Sequence, residues 1–534
     1  MYLKGCLIPL ILLQSVLSFG QVDSLRIQIR SYAVWGGNGY APHWLAGNRS
    51  GLFSGSENDA VLMPGFNLPW KIGKHVRIES GLDLALKLKL KESFIYQGYL
   101  NINIRSFRFI AGRQEYSMGQ YGDSLSSGSF LISRNAKPIP RIGFGFYDYV
   151  DVPFTHGYVQ VKGAVGNGWL DDDRLHHSPL NKPMMHEKFA YIRTHKLPVN
   201  PFIGLGHVVL YGGENINGEN ADIDFLAVFL GKGSDKVSNV SEALNAVGEH
   251  LGIVDIGIDF KLKNWAVTYF LQKPITDQND YVENFSRNFD FLSGLVIENP
   301  GSKLISRIVY EMIQTEHQGG LGLPDPRVDG RVIVPYRESD IQFLKEHYGN
   351  LGYPVSTLNT GAQWISFLKA YSNYGYEFGG RDDYYNNYLY TYVYKDRVIG
   401  TSLYLTKNEL ETLTGYADAG NFIVNNRITA HHLGIQGKLS ENIKYRLMLT
   451  FTRNKGAWQE YGGPTSWGGI AVNPNYDWFW NGYKYQWYSL FETDFSPAKL
   501  PMLGFKLGVA YDFGDLNNNL GAIVGITYKY HINF

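Results

Sequence analysis

The sequence predicts an all-β transmembrane protein, an antiparallel outer-membrane β-barrel of roughly 18 strands with short helical plug or periplasmic segments. Three observations predict it. The last residues alternate between apolar and polar, the first residues have the composition of an export signal, and similar alternating strands recur between them. Barrels of this kind cross the membrane with strands of about ten residues, in which only alternate side chains meet lipid.

The final strand covers residues 524–534 and ends on Phe534. Successive side chains of a strand point to opposite faces, so one face is apolar and the other polar. The apolar face contains Val524, Ile526, Tyr528, Tyr530, Ile532 and Phe534. This segment resembles the closing strand of outer-membrane barrels, which usually ends in an aromatic residue. An edge strand at the end of a soluble sandwich would alternate in the same way.

The N-terminal residues are typical of a cleaved signal peptide, predicted as residues 1–20. Lys4 precedes an apolar run over residues 7–13, and small residues follow up to Gly20. The only cysteine, Cys6, lies before the apolar run, so a lipoprotein anchor is not expected. Cleavage would leave no cysteine, which excludes disulfides, thiolate metal ligands and a thiol nucleophile. Residues 21–534 then form a single barrel domain.

Composition favours a barrel over a helical membrane protein. The mean hydropathy is −0.21, and Tyr (38) and Gly (60) suit aromatic girdles and tight turns. Lys+Arg and Asp+Glu both number 49, so no net charge recruits nucleic acid. Further alternating strands are predicted at residues 82–91, 99–103, 256–260, 443–452 and 505–513.

Two segments depart from the alternation and predict short helices. Residues 241–252 and 339–349 each end at a glycine, and Leu244, Val247 and Leu251 have the spacing of one helical face. Non-strand segments of a barrel must lie outside the membrane layer or within the lumen. We therefore expect plug or cap segments near 232–252 and 337–349.

Four groups of motifs stand between the strands. The first comprises residues 112–115 (GRQE), 122–128 (GDSLSSG) and 133–140 (SRNAKPIP); the second 170–174 (LDDDR) and 185–188 (MHEK); the third 379–388 (GGRDDYYNNY) and 397–400 (RVIG); the fourth 425–428 (NNRI) and 432–434 (HLG). In this order, from about residue 113 to 454, they resemble the Wzi family of capsule assembly proteins. The Trp-rich segment 458–487 has no counterpart in that resemblance.

The resemblance implies a function at the surface of a Gram-negative cell. It implies a plugged barrel in the outer membrane that binds capsular polysaccharide or exopolysaccharide and helps to attach or organise it. It implies a lectin-like protein and not an enzyme, with outer-membrane lipid and the polysaccharide export machinery as further partners. No cofactor and no metal is expected. The alternatives are a diffusion channel with an open lumen and a barrel-embedded serine hydrolase.

Candidate sugar-binding residues combine aromatic rings with planar polar side chains, because rings cover the apolar faces of sugars and Asp, Asn and Arg pair with hydroxyl groups. They are Arg113, Asp382, Asp383, Tyr384, Tyr385, Asn386, Asn425, Asn426, Arg427, Trp467 and Trp478. Other interpretations stay open. Tyrosine runs also form interface girdles, residues 425–427 would also brace a plug, and Arg113 and Arg134 would also form salt bridges in the lumen.

Two patterns imitate catalytic or metal sites. Residues 122–125 spell the nucleophile block of the GDSL esterases, with Ser124 as nucleophile, and residues 173–176 spell Asp-x-x-His. Only about fifty strand-like residues separate them, too few for that α/β domain. The acidic residues 171–173 with His176 and His177 could bind a metal, but a solvated acidic loop is the favoured interpretation.

Overall fold

The computed structural model describes residues 21–119, 124–239, 242–243, 246–275, 289–318, 327–328, 331–332, 338–371, 383–387, 389–417, 422–457, 479–480 and 483–534. The predicted signal peptide, residues 1–20, lies outside these ranges. Eighteen antiparallel strands close into a barrel, as the sequence predicted. Each strand pairs with its neighbour in the chain, and the last pairs with the first from Ser24–Asn533 to Gly36–Gly521.

The strands alternate between an apolar outer face and a more polar inner face. They are β1 Ser24–Gly36, β2 Asp59–Ile72, β3 Val76–Lys87, β4 Phe94–Ile104, β5 Phe107–Arg113, β6 Arg141–Asp151, β7 Val159–Trp169, β8 Met184–Thr194, β9 Val199–Tyr211, β10 Glu249–Leu262, β11 Trp265–Ile275, β12 Phe291–Glu298, β13 Arg307–Gln314, β14 Ile428–Ser440, β15 Ile443–Asn454, β16 Lys484–Phe495, β17 Leu503–Gly514 and β18 Asn519–Asn533. Two-residue strands pair as Arg327–Val328 with Arg331–Val332 and as Val393–Tyr394 with Arg397–Val398, and Leu405–Thr406 pairs with Ile423–Asn425. Gln21–Val22 pairs with the end of β2.

The predicted outer faces are confirmed on the closing strands. Val524 and Ile526 of β18 are 51% and 53% exposed, whereas Ile523 between two outward positions is buried. On β17, Leu507 and Val509 are exposed and Asp512 is buried. A closed barrel with an exposed apolar belt and a polar interior is the form in which strands cross a bilayer, because every backbone group is paired within the wall.

Short turns gather at one end of the barrel and long connections at the other. Lys263 and Asn264 alone join β10 to β11, with Leu262 paired to Trp265. Lys263 has a φ of 57°, the left-handed conformation that such two-residue hairpins require. We call this the turn end. The first strand begins there and the last strand ends there. The opposite loop end holds the segments between β1 and β2, β5 and β6, β7 and β8, and β13 and β14.

The helices in the described part of the chain are few and short. They are α1 His43–Ala46, α2 Phe225–Leu230, α3 Glu338–Asn350, α4 Gly361–Tyr371 and α5 Lys407–Thr414, with a 3-10 turn at Leu90–Glu92. Among the described residues, none of them is long and apolar enough to cross a bilayer. Asp224 caps α2, and Thr406 with Glu409 forms a capping box on α5.

The main core lies inside the barrel, where chain segments from the loop end pack against the inner face of the wall. We call these the inner segments: residues 41–54, 124–140, 383–387, 389–406 and 422–427. Trp44, Leu131 and Tyr392 share one buried cluster with wall residues such as Met63 and Met448. The apolar inward positions of the wall are thus covered by protein.

Polar inward side chains of the wall hold the inner segments by hydrogen bonds. Glu311 of β13 accepts hydrogen bonds from Ser126 Oγ and the Ser127 backbone N–H, both at 2.7 Å. Trp44 Nε1 donates to Thr450 Oγ1 of β15 at 3.1 Å. The polar face predicted for the wall therefore binds protein, in addition to any water.

The two expected helical segments differ in outcome. The helix predicted over 339–349 is confirmed by α3. The helix predicted over 241–252 is wrong in its second half, because Glu249–Leu262 is strand β10 and pairs with β9. Strand pairing prevails over the helical spacing there, because Leu251 and Ile253 of β10 pack against the inner segments. That α3 plugs the lumen stays a prediction; its buried residue Leu344 forms a separate core with Trp364 of α4.

Candidate functional site

The first and third motif groups meet inside the barrel. The Ser133 backbone N–H donates to Ile399 O at 2.9 Å, and Asn135 Nδ2 donates to Val398 O at 3.0 Å. Tyr392 Oη donates to Leu131 O at 2.8 Å. Burial raises the pKa of Tyr392 well above its usual value, so this hydroxyl remains a donor. The two segments are thereby fixed to each other.

The second motif group joins the third at the loop end. Arg174 is fully buried, and its guanidinium donates to Val393 O at 2.7 Å. Tyr394 Oη donates to Asp171 Oδ1 at 2.5 Å, and the Lys395 backbone N–H donates to Asp172 Oδ2 at 2.9 Å. These bonds attach the loop 170–183 to the hairpin 393–398.

Asp171 is the electrostatic centre of this junction. It pairs with Arg113 and with Lys395, whose ammonium lies 3.4 Å from Asp171 Oδ1. Burial alone would raise the pKa of Asp171, but the Tyr394 hydroxyl and the Arg113 and Lys395 charges lower it below its usual value. Arg113, a predicted sugar ligand, is thus engaged in an ion pair at the loop end.

The third and fourth motif groups form a buried cluster of the predicted sugar-binding residues. Asn426 Nδ2 donates to Asp383 Oδ1 and to Tyr384 O, both at 2.6 Å. Asn386 Nδ2 donates to Ile423 O at 2.7 Å. The members of the cluster, each at most 8% exposed, are Asp383, Tyr384, Tyr385, Asn386, Asn425, Asn426 and Arg427. Their contact with sugar stays a prediction.

The remaining members of this cluster are anchored to the barrel wall or to other inner segments. Asn425 Nδ2 donates to Asn454 Oδ1 of β15 at 2.9 Å, and Tyr385 Oη donates to Phe130 O. The structure thus brings seven of the eleven candidates together. Asp382, Trp467 and Trp478 lie outside the described residues.

An outer cavity of about 570 Å³ opens at the loop end. Its lining includes Lys91, Lys137, Lys395, Arg397, Asp59 and Glu409. Arg397 is 3.4 Å from Glu409, and Lys87, also in the lining, pairs with Asp59. Within the described ranges, no carboxylate pairs with Lys91 or Lys137. Glu92 also lies in the lining, so Lys91 and Lys137 are cations without an ion-pair partner among the described residues but not without a nearby carboxylate.

Lys137 lies between an aromatic ring and other cations. Its Nζ is 3.9 Å from the centre of the Phe94 ring, a cation–π contact. Burial, and then the charges of Lys87, Lys395 and Arg113, lower the pKa of Lys137 to about 8. Below that pH it is a cation that Glu92 attracts but that forms no ion pair among the described residues, which favours an incoming anion.

A second, inner cavity of about 710 Å³ lies toward the turn end. Arg49, Arg446 and Lys506 surround Glu492 there, at 2.7, 3.1 and 2.6 Å. Phe53 lines both cavities, while Ala46 and Gly51 line only the outer one and Asn48 only the inner one. Residues 46–53 therefore separate the two cavities.

The parts of the esterase-like pattern lie far apart. Ser124 lines the inner cavity, and its carbonyl accepts a hydrogen bond from Arg446 at 2.8 Å. His176 is in the loop 170–183 and contacts Asp396. Gly122 and Asp123 lie outside the described residues.

Sequence reasoning missed the outer cavity. Lys137 and Arg397 stand inside the motifs 133–140 and 397–400, but single basic residues in a loop usually belong to a solvated surface. Only the packing of the inner segments shows that they share one cavity with Lys91 and Lys395. The available signal was the aromatic Phe94 close to Lys89 and Lys91, the two lysines of the β3–β4 connection.

No protein-family model matches the chain, and no curated protein sequence matches it. Solved outer-membrane barrels are similar in structure. Wzi of Escherichia coli, an outer membrane protein involved in group 1 capsule assembly and a carbohydrate-binding β-barrel, is 11% identical with a TM-score of 0.49, over 98% of this chain and 87% of that one. OccK5 (OpdH) of Pseudomonas aeruginosa is 7% identical with a TM-score of 0.44, over 96% and 98%. OccAB4 of Acinetobacter baumannii is 8% identical with a TM-score of 0.42, over 96% and 99%.

Proposed function

We propose that this outer-membrane barrel is a non-enzymatic binder of capsular polysaccharide or exopolysaccharide at the cell surface. The outer cavity carries the proposal. It lies at the loop end, which in outer-membrane barrels faces the outside, and it presents Lys91 and Lys137, which form no ion pair with any described carboxylate. Acidic sugar units of a polymer supply the missing negative charge.

The lining suits a sugar in more than charge. Phe94 offers an aromatic surface, and the side chains of Ser54, Asn408 and Thr412 offer hydroxyl and amide groups. Such a mixture contacts the apolar faces and the hydroxyl groups of a pyranose together. A polymer reaches these groups without displacing the inner segments, whereas the buried cluster around Asp383 requires them to move.

The separation of the two cavities supports binding over diffusion. A diffusion channel needs a continuous path, and residues 46–53 lie between the outer and the inner cavity. Arg49 anchors this segment to the barrel wall, with its guanidinium 2.7 Å from Glu492 of β16. Contact with the polysaccharide export machinery stays a further prediction of the same function.

Binding is tested with the purified chain and two defined polymers. Alginate consists of acidic sugars and dextran of neutral ones. We expect alginate to bind and Lys137→Gln with Lys91→Gln to weaken it at least about tenfold, since a charged hydrogen bond contributes about 1.5–3 kcal/mol. Lys74→Gln in the turn between β2 and β3 is the matched control. If the double lysine variant bound alginate as tightly as the Lys74→Gln control, the proposed site would be contradicted.

The cellular role is tested in the native bacterium. Loss of the gene should release surface polysaccharide into the medium, and the wild-type chain should restore its attachment while the double lysine variant should not. If surface polysaccharide is unchanged in amount and attachment without the protein, the proposed function is wrong.

A further inference from the structure

Two histidines and an aspartate from distant parts of the chain converge at the loop end. His176 and His177 belong to the loop 170–183, and Asp396 to the tip of the hairpin 393–398. Each offers one ligand atom, and these three atoms lie within 4.8 Å of one another. Sequence analysis placed the same histidines beside Asp171 and Asp172, but those carboxylates are engaged by Tyr394, Lys395 and Arg174.

His177 has surroundings that suit a metal ligand. In the described part of the chain, both of its ring nitrogens are buried and neither has a hydrogen-bond partner. Leaving buried polar atoms without a partner costs about 1–3 kcal/mol, so such an atom is usually explained by a ligand or water.

The three side chains are held in place by their supports. The ring of Phe422 lies 4.4 Å from His177 and 5.7 Å from His176. The carbonyl of His177 accepts a hydrogen bond from Thr391 Oγ1 at 3.0 Å. Lys395 and Asp396 have φ values of 50° and 61°, the left-handed turn that directs the tip of the hairpin toward the loop.

We propose that His176, His177 and Asp396 bind a divalent transition-metal ion of the zinc class and so clamp the loop 170–183 to the hairpin 393–398. Two imidazoles and one carboxylate are a common protein ligand set for zinc, with metal–ligand distances of about 2.0–2.2 Å. Ligand atoms around one tetrahedral ion at these distances lie about 3.4 Å apart, so the three atoms, now within 4.8 Å of one another, need side-chain movements of about 1 Å. A fourth position remains for water or a sugar oxygen.

Two positive charges that would repel a metal ion lie close to the site, and they are already neutralised in part. Arg174 pairs with Asp172, and Lys407 lies 5.7 Å from the centre of the Phe422 ring. Asp396 supplies the negative charge of the site itself. The ligand set favours imidazole-binding ions over Mg²⁺ or Ca²⁺, which prefer oxygen ligands.

The test uses the full chain without a polyhistidine tag, treated with a chelator and then titrated with Co²⁺ and Zn²⁺. We expect one Co²⁺ per chain, with the visible spectrum of a four- or five-coordinate site, displaced by Zn²⁺. His177→Gln and Asp396→Asn should each weaken metal binding at least about tenfold, because the loss of a residue that only supports a metal ligand already weakens metal affinity by about that much. His75→Gln, in a turn at the other end, should leave it unchanged.

Heat-dependent gel migration shows whether each variant forms the barrel. If His177→Gln fails to do so, His176→Gln in the exposed part of the loop decides. Binding that is equal in wild type, His176→Gln and Asp396→Asn, or no binding at all, overturns the proposal. The titration needs no polysaccharide, so its result stands whether or not the proposed function holds.

Discussion

Lys137 shows how the neighbours of a single side chain change its pKa. Its ammonium group rests on the Phe94 ring and faces Lys87, Lys395 and Arg113, and within the described ranges no carboxylate pairs with it. A free lysine titrates near 10.4. The surroundings that lower its pKa to about 8 are the same ones that an anion would relieve.

The pH dependence of binding follows from that pKa. Lys137 is almost fully charged below about pH 7, half charged at about pH 8, and loses its charge as the pH rises further. An acidic polymer binds the charged form, so its affinity should be constant below about pH 7 and fall above pH 8, by about tenfold per pH unit at most. Affinity for alginate at several pH values measures this.

The Lys137→Gln variant should bind weakly at every pH, and Lys91→Gln should bind less tightly while keeping the decline above pH 8. A wild-type affinity that stays flat up to pH 10 would contradict the part assigned to Lys137.

Asn426 marks what residue-level reasoning could and could not foresee. Its motif predicts a planar polar side chain that binds sugar, and the structure places Asn386 and Asn426 within hydrogen-bonding distance of Asp383. The sequence does not show whether such a group faces a ligand or another amide. That depends on which inner segments cover it, and these come from parts of the chain hundreds of residues apart.

At the level of elements, the strands were the most predictable part. Alternation is a local signal, and β17 and β18 expose the side chains that the pattern assigned to the outside. The inner segments carry no such period. They are stabilised by contacts like Ser127 with Glu311, which lie 184 residues apart and leave no mark in either local sequence. The region around Glu249 was misjudged for the same reason, since a helical spacing there coincides with strand pairing.

The α3–α4 pair should respond to mutation as a separate element. Trp364 is fully buried between the two helices, and its Nε1 donates to Leu358 O at 2.9 Å. We expect Trp364→Ala to cost about 3–5 kcal/mol, more than two short helices can lose. Limited proteolysis should then cut within 338–371 while the heat-dependent migration of the barrel is unchanged.

Glu346→Ala on the exposed side of α3 is the control and should be as resistant as wild type. If Trp364→Ala abolishes barrel formation, the two helices share their stability with the wall.

At the scale of the whole molecule, the inner segments decide between a binder and a channel. Eighteen strands enclose room for an aqueous path, as in large porins. Here the lumen contains the main core. Among the parts of the chain that the structure describes, residues 46–53 separate the outer cavity from the inner one. Under the proposed function, this short segment therefore keeps the barrel from acting as a channel.

Conductance across a planar bilayer tests this division. We expect the wild-type chain to show no conductance steps. Phe53→Ala removes the ring that lines both cavities, so it should join them and produce small steps. Phe130→Ala removes an equally buried ring that lines neither cavity and should remain silent, although each substitution costs about 3–5 kcal/mol. Steps in the wild type would favour the diffusion channel instead, because the segment 46–53 would then have to move aside on its own.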